Sequence, residues 1–176
     1  MAWLLLARHG ETEWNREGRW QGHADVALND RGREQARELA HWMRDEPIDV
    51  IYSSDLKRAH ETALIIAEQK RLPVTTDAGL REIDVGRWSG LTPDEIARCF
   101  PDMATHDGET NAQHLERVIA AFHRIAGAHR GQRMLIVSHG KTLRVIRRHA
   151  AGRPVSLLGN CETARMRYVD DKFVDG

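Results

Sequence analysis

The chain has 176 residues, of which 41% are hydrophobic and 30% charged, a composition typical of a folded globular protein rather than a disordered one. Its 26 lysines and arginines balance 26 aspartates and glutamates, so no overall field favours nucleic acid or an anionic membrane. Any anion must therefore be held by a local cluster of charges.

Cysteine content and hydropathy indicate the compartment and the domain count. Two cysteines, Cys99 and Cys161, suit neither a disulfide framework nor a metal site. The apolar start lacks the flanks of a secretory signal, and no apolar run approaches the length of a membrane span. We expect a single cytoplasmic domain over residues 1–176, with no membrane or nucleic-acid partner; the sequence does not predict an oligomeric state.

Strand and helix patterns alternate along the chain. An apolar run at residues 4–7 predicts a buried strand that stops at Arg8, His9 and Gly10. Residues 13–30 are polar and broken by glycine and asparagine, which predicts a loop. The other predicted elements are helices at about 30–44, 56–69, 111–128 and 141–150, a short helix starting at Pro93 behind the cap Thr92, and strands at about 48–52, 73–76, 134–137, 164–169 and 172–174. This order predicts a three-layer α/β/α sandwich with a mostly parallel central sheet.

Two predicted strands end in the same way, with a histidine followed by a glycine at His9 and at His139. Because ligands bind at the carboxyl edge of a parallel sheet, these histidines are expected to lie close together. The strand that ends near Ser53 brings Arg58 to the same edge, in the first turn of a helix. An anion between Arg8 and Arg58 would offset the unfavourable helix dipole, and planar guanidiniums suit phosphate oxygens. Each residue alone also fits an ordinary polar loop; their combination indicates a phosphate site.

Several segments resemble the motifs of the histidine phosphatase superfamily, also called phosphoglycerate-mutase-like proteins. The stretch from Arg8 to Thr12, with Trp14 and Asn15, resembles the defining motif of that family. The other matching segments, in the order of the family, are Gln21-Gly22, Ser53-Ser54 to Arg58-Ala59, Leu80 to Gly90 with Glu82, Gly108-Glu109-Thr110 and Val137-Ser138-His139-Gly140. The resemblance covers most of the chain and is closest to the short phosphatase branch.

The resemblance implies a role for each matching residue. His9 would be the nucleophile and form a phosphohistidine, while Glu82 would protonate the leaving alkoxide. Arg8, Arg58 and His139 would neutralise the phosphoryl oxygens without a metal or other cofactor. The remaining phosphate-binding residues implied are Asn15, Gln21 and Gly22. From the residues alone, Glu82 would otherwise be a surface glutamate in a polar loop.

The expected activity is that of a metal-independent phosphomonoesterase that acts on small-molecule phosphate esters. The short segment 86–90 resembles phosphatases rather than mutases, although phosphoglycerate mutase activity stays an alternative. A non-catalytic phosphoester-binding protein on the same fold is a second alternative. Residues 101–107 are fewer than is usual in the family, which predicts an open pocket of broad specificity.

Three further patterns carry less weight. Gly140-Lys141-Thr142 resembles the end of a P-loop, but Leu135 stands where that motif needs a glycine. Four arginines, at positions 144, 147, 148 and 153, are compatible with nucleic-acid binding, yet the zero net charge favours a solvated helix face. Trp42 is expected to pack in the core or at the rim.

Overall fold

The computed structural model describes all 176 residues and contains one six-stranded sheet. Its strands are β1 (Ala2–Arg8), β2 (Val50–Ser53), β3 (Val74–Thr76), β4 (Arg133–Ser138), β5 (Thr163–Val169) and β6 (Lys172–Asp175). The spatial order is β3-β2-β4-β1-β5-β6. Neighbours from β3 to β1 are parallel, and β5 is antiparallel to both β1 and β6. The predicted mostly parallel sheet is confirmed.

Six α-helices connect the strands or precede them. They are α1 (Glu13–Arg16), α2 (Asp30–Trp42), α3 (Lys57–Lys70), α4 (Pro93–Cys99), α5 (Asn111–Ala128) and α6 (Gly140–Ala151). Single 3-10 turns lie at Ala78–Leu80 and Gly86–Trp88. Thr92 and Glu95 form the capping box that begins α4, as the sequence predicts. None of the six helices combines the length and the apolar character of a membrane-spanning segment.

The prediction of a loop over residues 13–30 is partly wrong, because this segment contains α1. This helix has only four residues, too few to show a helical period in the sequence. It forms because Thr12 and Asn15 make a reciprocal capping box that satisfies the free N–H groups of its first turn.

The helices cover both faces of the sheet, which gives the three layers predicted. Along β1 the side chains alternate: Leu4 and Leu6 pack toward α5 and α6, whereas Leu5 and Ala7 pack toward α2 and α3. Burying a leucine side chain contributes roughly 1.5–3 kcal/mol, so the two cores hold β1 firmly from both sides.

Trp42 does not pack as expected: it is 57% exposed at the end of α2. The neighbouring Met43 is completely buried, and one residue rotates the side-chain direction by about 100° around an α-helix. Trp42 is therefore turned away from the core.

The strand register explains how the site forms. Arg8 of β1 pairs with Ser138 of β4, and Ser53 of β2 pairs with Val137, so the three parallel strands end at one edge of the sheet. The segments that follow them are thereby brought together, as the sequence predicts.

Candidate active site

A cavity of about 120 Å³ lies at this carboxyl edge of the sheet. It is lined by Arg8, His9, Asn15, Arg19, Trp20, Gln21, Gly22, Arg58, Glu82, Ile83, Val85 and Lys141. Seven of these are residues that the sequence predicts for the site, and they come from five separate segments of the chain. The eighth predicted residue, His139, lies behind the cavity and does not line it.

His9 is held as a neutral imidazole with one free ring nitrogen. Its Nδ1 lies 2.6 Å from the carbonyl oxygen of Gly10; because that oxygen can only accept, Nδ1 carries the proton and donates. Burial lowers the pKa of His9 well below its ordinary value, and the charges of Arg58 and Arg8 lower it further. In the neutral ring, Nε2 therefore has an available lone pair at neutral pH.

A loop near the end of the chain fixes the backbone of His9. Asn160 donates from Nδ2 to the His9 carbonyl at 3.0 Å, and the N–H of Cys161 donates to the Arg8 carbonyl at 3.1 Å. The Arg8 N–H in turn donates to the carbonyl of Glu162. Asn160 was not predicted as a site residue, since its contacts depend on the β1–β5 pairing and have no local motif.

Asn15 presents a donor to the cavity. Its Oδ1 accepts from the N–H and the hydroxyl of Thr12 and from Nδ2 of Asn160, at 3.1 to 3.3 Å. Because Oδ1 is occupied by these donors, the side-chain orientation is set and Nδ2 is left to donate to a ligand.

The two arginines leave donors without acceptors in the protein. Arg58 donates to the carbonyls of Gly22 and Ala24 at 2.8 and 2.7 Å, which leaves one N–H on each terminal nitrogen. Arg8 donates from Nη1 to the carbonyl of Leu158 at 2.8 Å, while its buried Nε has no partner. Burial lowers the pKa of Arg58 to about 10, so both guanidiniums stay charged at neutral pH. Unpaired cationic donors of this kind suit an oxyanion.

His139 is fully buried, and both of its ring nitrogens are occupied. Nδ1 lies 3.2 Å from Nε of Arg58, which donates to it, and Nε2 therefore donates to Oγ of Ser54 at 2.9 Å. Burial and the charge of Arg58 lower the pKa of His139 well below its ordinary value, which keeps the ring neutral. In this arrangement His139 orients Arg58.

Glu82 lies against the N-terminus of α6. Its Oε2 accepts from the N–H of Lys141 at 3.0 Å, and its Oε1 accepts from Ile83 and from both the N–H and the hydroxyl of Thr142, at 3.0 to 3.2 Å. The helix dipole adds a favourable field for a carboxylate at this position. Glu82 is thus fixed in the wall of the cavity that His9 also lines.

Trp20 also lines the cavity, as do Arg19 and Lys141, which the sequence did not single out for the site. Lys141 lies over the ring of Trp20, with Nζ 4.1 Å from the ring centroid, which is cation–π geometry. The position of Lys141 directly after His139-Gly140 was the available signal. No group of three or more His, Cys, Asp or Glu side chains is placed to hold a metal ion.

Residues 101–107 do not line the cavity. The segment is tied to the 3-10 turn at Gly86–Trp88, because Asp107 accepts from Arg87 at 2.6 Å and His106 packs edge-on against Trp88. An open pocket of broad specificity stays a prediction.

Comparison with known proteins places the chain in a family. The family model described as "Histidine phosphatase superfamily (branch 1)" matches residues 4–174. The chain is 37% identical, over 97% of its length and 81% of the relative, to the phosphoglycerate mutase-like protein 4 of Arabidopsis thaliana. It is 38% identical, over 83% of its length and 74% of the relative, to phosphoserine phosphatase 1 of Hydrogenobacter thermophilus.

The fold comparison agrees. The solved structure of Bacillus stearothermophilus YhfR superimposes with a TM-score of 0.93 at 30% identity, covering 100% of this chain and 96% of that one. On these matches, this chain belongs to the histidine phosphatase superfamily and is a phosphatase.

Proposed function

We propose that the chain is a metal-independent phosphomonoesterase that works through a phosphohistidine on His9. The observation that carries the proposal is the state of His9: a neutral ring whose Nδ1 donates to Gly10, facing a cavity lined by the cationic groups of Arg8 and Arg58. A free Nε2 lone pair is a nucleophile, and the two guanidiniums attract a phosphoryl group toward it.

In the first step, Nε2 of His9 attacks phosphorus and the ester P–O bond breaks. Arg8, Arg58 and the amide of Asn15 donate to the non-bridging oxygens and neutralise the charge that develops on them. Glu82 enters this step as the protonated carboxyl and gives its proton to the leaving alkoxide, which departs as an alcohol. Gln21 and Gly22 form the wall of the cavity beside the phosphoryl group.

In the second step, the Glu82 carboxylate takes a proton from water as the oxygen of that water attacks phosphorus. The N–P bond breaks, inorganic phosphate leaves, and His9 returns to its neutral form. The N–H donors of Ile83, Lys141 and Thr142 hold the Glu82 carboxylate in place between the two steps.

Two alternatives remain to be distinguished from hydrolysis. Phosphoglycerate mutase activity is kept because several relatives are named as mutase-like or as probable phosphoglycerate mutases. A non-catalytic phosphoester-binding protein is less well supported, since every residue proposed for the chemistry is present and the nucleophile has a free nitrogen. Assaying interconversion of the two phosphoglycerates beside phosphate release separates the mutase.

The decisive experiment measures hydrolysis of p-nitrophenyl phosphate with and without EDTA. We expect turnover that survives EDTA and disappears in His9→Ala, while His149→Ala, which removes an exposed histidine of α6, retains wild-type activity. Acid-labile, base-stable phosphate bound to the wild-type protein after rapid quenching would identify the phosphohistidine. Inactivity of the wild type across a broad panel of phosphate esters would overturn the proposal.

We propose small phosphorylated metabolites as substrates; the similarity to a phosphoserine phosphatase makes phosphoserine one compound to include in a screen that reports kcat/KM. A cytoplasmic location and a single domain over residues 1–176 are further proposals. The continuous sheet from β3 to β6 supports the latter.

A further inference from the structure

A second cavity, of about 300 Å³, runs along α6 next to the site. It is lined by Asn111, His114, Lys141, Arg144, Val145 and Arg148, and we call it the α6 groove. Lys141 lines both this groove and the cavity of His9, so the two spaces are adjacent and share one side chain.

The charge of the α6 groove is entirely positive. No aspartate or glutamate lines it, and burial lowers the pKa of His114 to about 4, so that ring stays neutral. Lys141, Arg144 and Arg148 make no ion pair, whereas 11 of the other 20 arginines do. Spaced by three and four residues, they lie along one face of α6 over roughly 10 Å.

Two of these cations, Lys141 and Arg144, have unfavourable surroundings. Lys141 lies in the first turn of α6, where the helix dipole disfavours positive charge, and that turn holds no acidic residue. Both side chains are half-buried, so part of their hydration is also lost. Glu82 offsets the dipole at the backbone N–H groups of the helix but does not line the groove. A bound anion would compensate for both costs.

We propose that the α6 groove binds a second anionic group of the substrate, so that the preferred esters carry a carboxylate or a second phosphate beyond the carbon that bears the reacting phosphate. This inference rests on the phosphatase function proposed above. Arg144 and Arg148 would contact the distal group, and Lys141 would lie between it and the phosphoryl pocket. Three aligned cations on a rigid helix select for the charge and for the distance between the two anionic groups.

The test compares pairs of esters that differ in one charge. A series of ω-phosphooxy alkanoates with two to six carbons is assayed against the corresponding primary amides. The wild type should prefer the carboxylate at one chain length by about tenfold in kcat/KM, the size of one charge-assisted hydrogen bond. Equal kcat/KM for acid and amide at every length, in an enzyme that hydrolyses p-nitrophenyl phosphate, would overturn this inference while leaving the proposed function intact.

Variants locate the effect. Arg144→Gln and Arg148→Gln should reduce the carboxylate preference to about twofold or less, with hydrolysis of p-nitrophenyl phosphate unchanged. The matched control is Arg37→Gln, which removes an exposed, unpaired arginine on α2 and should keep the full preference. An unchanged preference in both α6 variants would show that the distal group binds elsewhere, which contradicts the proposal.

A binding experiment tests the groove even if the wild type is inactive. His9→Ala is titrated calorimetrically with the acid and amide esters; a tighter Kd for the acid, lost in the double variant with Arg144→Gln, supports the groove independently of turnover. Two other occupants have distinct results. Acetate that accelerates turnover of the amide ester would indicate a separate anion, and an oligonucleotide that binds through Arg144 without any carboxylate preference would indicate nucleic acid; either result overturns the proposal.

Discussion

The rings of His9 and His139 lie edge to face with centroids 5.1 Å apart, yet only His9 borders the cavity. Both nitrogens of His139 are used by Arg58 and Ser54, so its present contacts support the site from behind. Arg58 is thereby held on three sides, by His139 and by the carbonyls of Gly22 and Ala24.

The role of His139 in orienting Arg58 predicts an effect of Ser54→Ala. This change removes the acceptor for Nε2 of His139 and leaves a buried N–H unpaired, at a cost of about 1–3 kcal/mol. We expect kcat/KM to fall by about tenfold as Arg58 loses its fixed position. The control is Ser53→Ala, whose hydroxyl donates only to the carbonyl of Ser54 and should change kcat/KM by less than about twofold. Equal losses of activity in the two variants would contradict this role.

The proposed proton donor is tested by the dependence of Glu82→Gln on the leaving group. An alkyl phosphate needs protonation of its poor leaving group, so its kcat should fall by about 100-fold or more. Nitrophenyl phosphate, whose leaving group is stable as an anion, should lose far less. Glu109→Gln breaks a nearby contact with Arg117 and should affect both substrates alike. If Glu82→Gln slows both substrates equally, Glu82 is not the proton donor.

Two glycines with positive φ should respond differently to alanine. Gly22 (φ 50°) would place a Cβ 2.6 Å from Cγ2 and 2.9 Å from the backbone nitrogen of Val85, and its carbonyl holds Arg58. Gly18 (φ 69°) has open space around it, so Gly18→Ala should cost only about 1 kcal/mol of backbone strain and retain activity. We expect Gly22→Ala to lower the stability by more than Gly18→Ala and to abolish most turnover. Urea unfolding measures the stability of the two variants, and kcat/KM measures their activity. Equal losses of stability and activity in the two variants would argue against the close packing of Gly22.

The buried histidines predict acid sensitivity. His114 has its pKa lowered by burial from 6.5 to about 4, so below pH 6.5 the unfolded chain binds the proton more readily than the folded one. Stability is then complete above about pH 6.5 and decreases as the pH falls toward 4. Between pH 7 and pH 5, His114 alone should account for a loss of about 2 kcal/mol.

His114→Gln isolates this contribution, because glutamine can still donate to the hydroxyl of Thr142 and does not titrate. Urea unfolding of both proteins at pH 7 and pH 5 should show a smaller acid-induced loss in the variant. His9 and His139 contribute to the loss in both proteins and cancel in the difference. Equal acid-induced losses of stability in the two proteins would show that His114 has the same proton affinity in the folded and unfolded chains.

The sequence was informative where function depends on short-range patterns. Strand ends carry Arg8 and His9, and the cap Thr92 begins α4 as predicted. Parallel pairing then follows from the alternation of strands and helices, which is why the shared edge could be anticipated. The fold and the positions of Arg8, His9 and Arg58 therefore follow from local patterns. The other predicted residues of the cavity lining, Asn15, Gln21, Gly22 and Glu82, were implied only by the resemblance to the family.

Long-range pairing accounts for what was missed. Asn160 reaches His9 only because β5 pairs antiparallel with β1, and the loop before β5 has no motif that states this. Lys141 was recognised only as part of a rejected P-loop, since its proximity to Trp20 depends on how α6 packs. Whether His139 lines the cavity depends on side-chain direction, which strand-end spacing does not specify.

The hydrogen bond from Asn160 to the His9 carbonyl joins groups 151 positions apart in the chain. During synthesis, His9 is made 151 residues before Asn160, so its carbonyl lacks this support for on the order of ten seconds at ribosomal rates. Contacts between residues that are far apart in the chain also slow folding. A nascent chain that ends before Asn160 should therefore lack phosphatase activity.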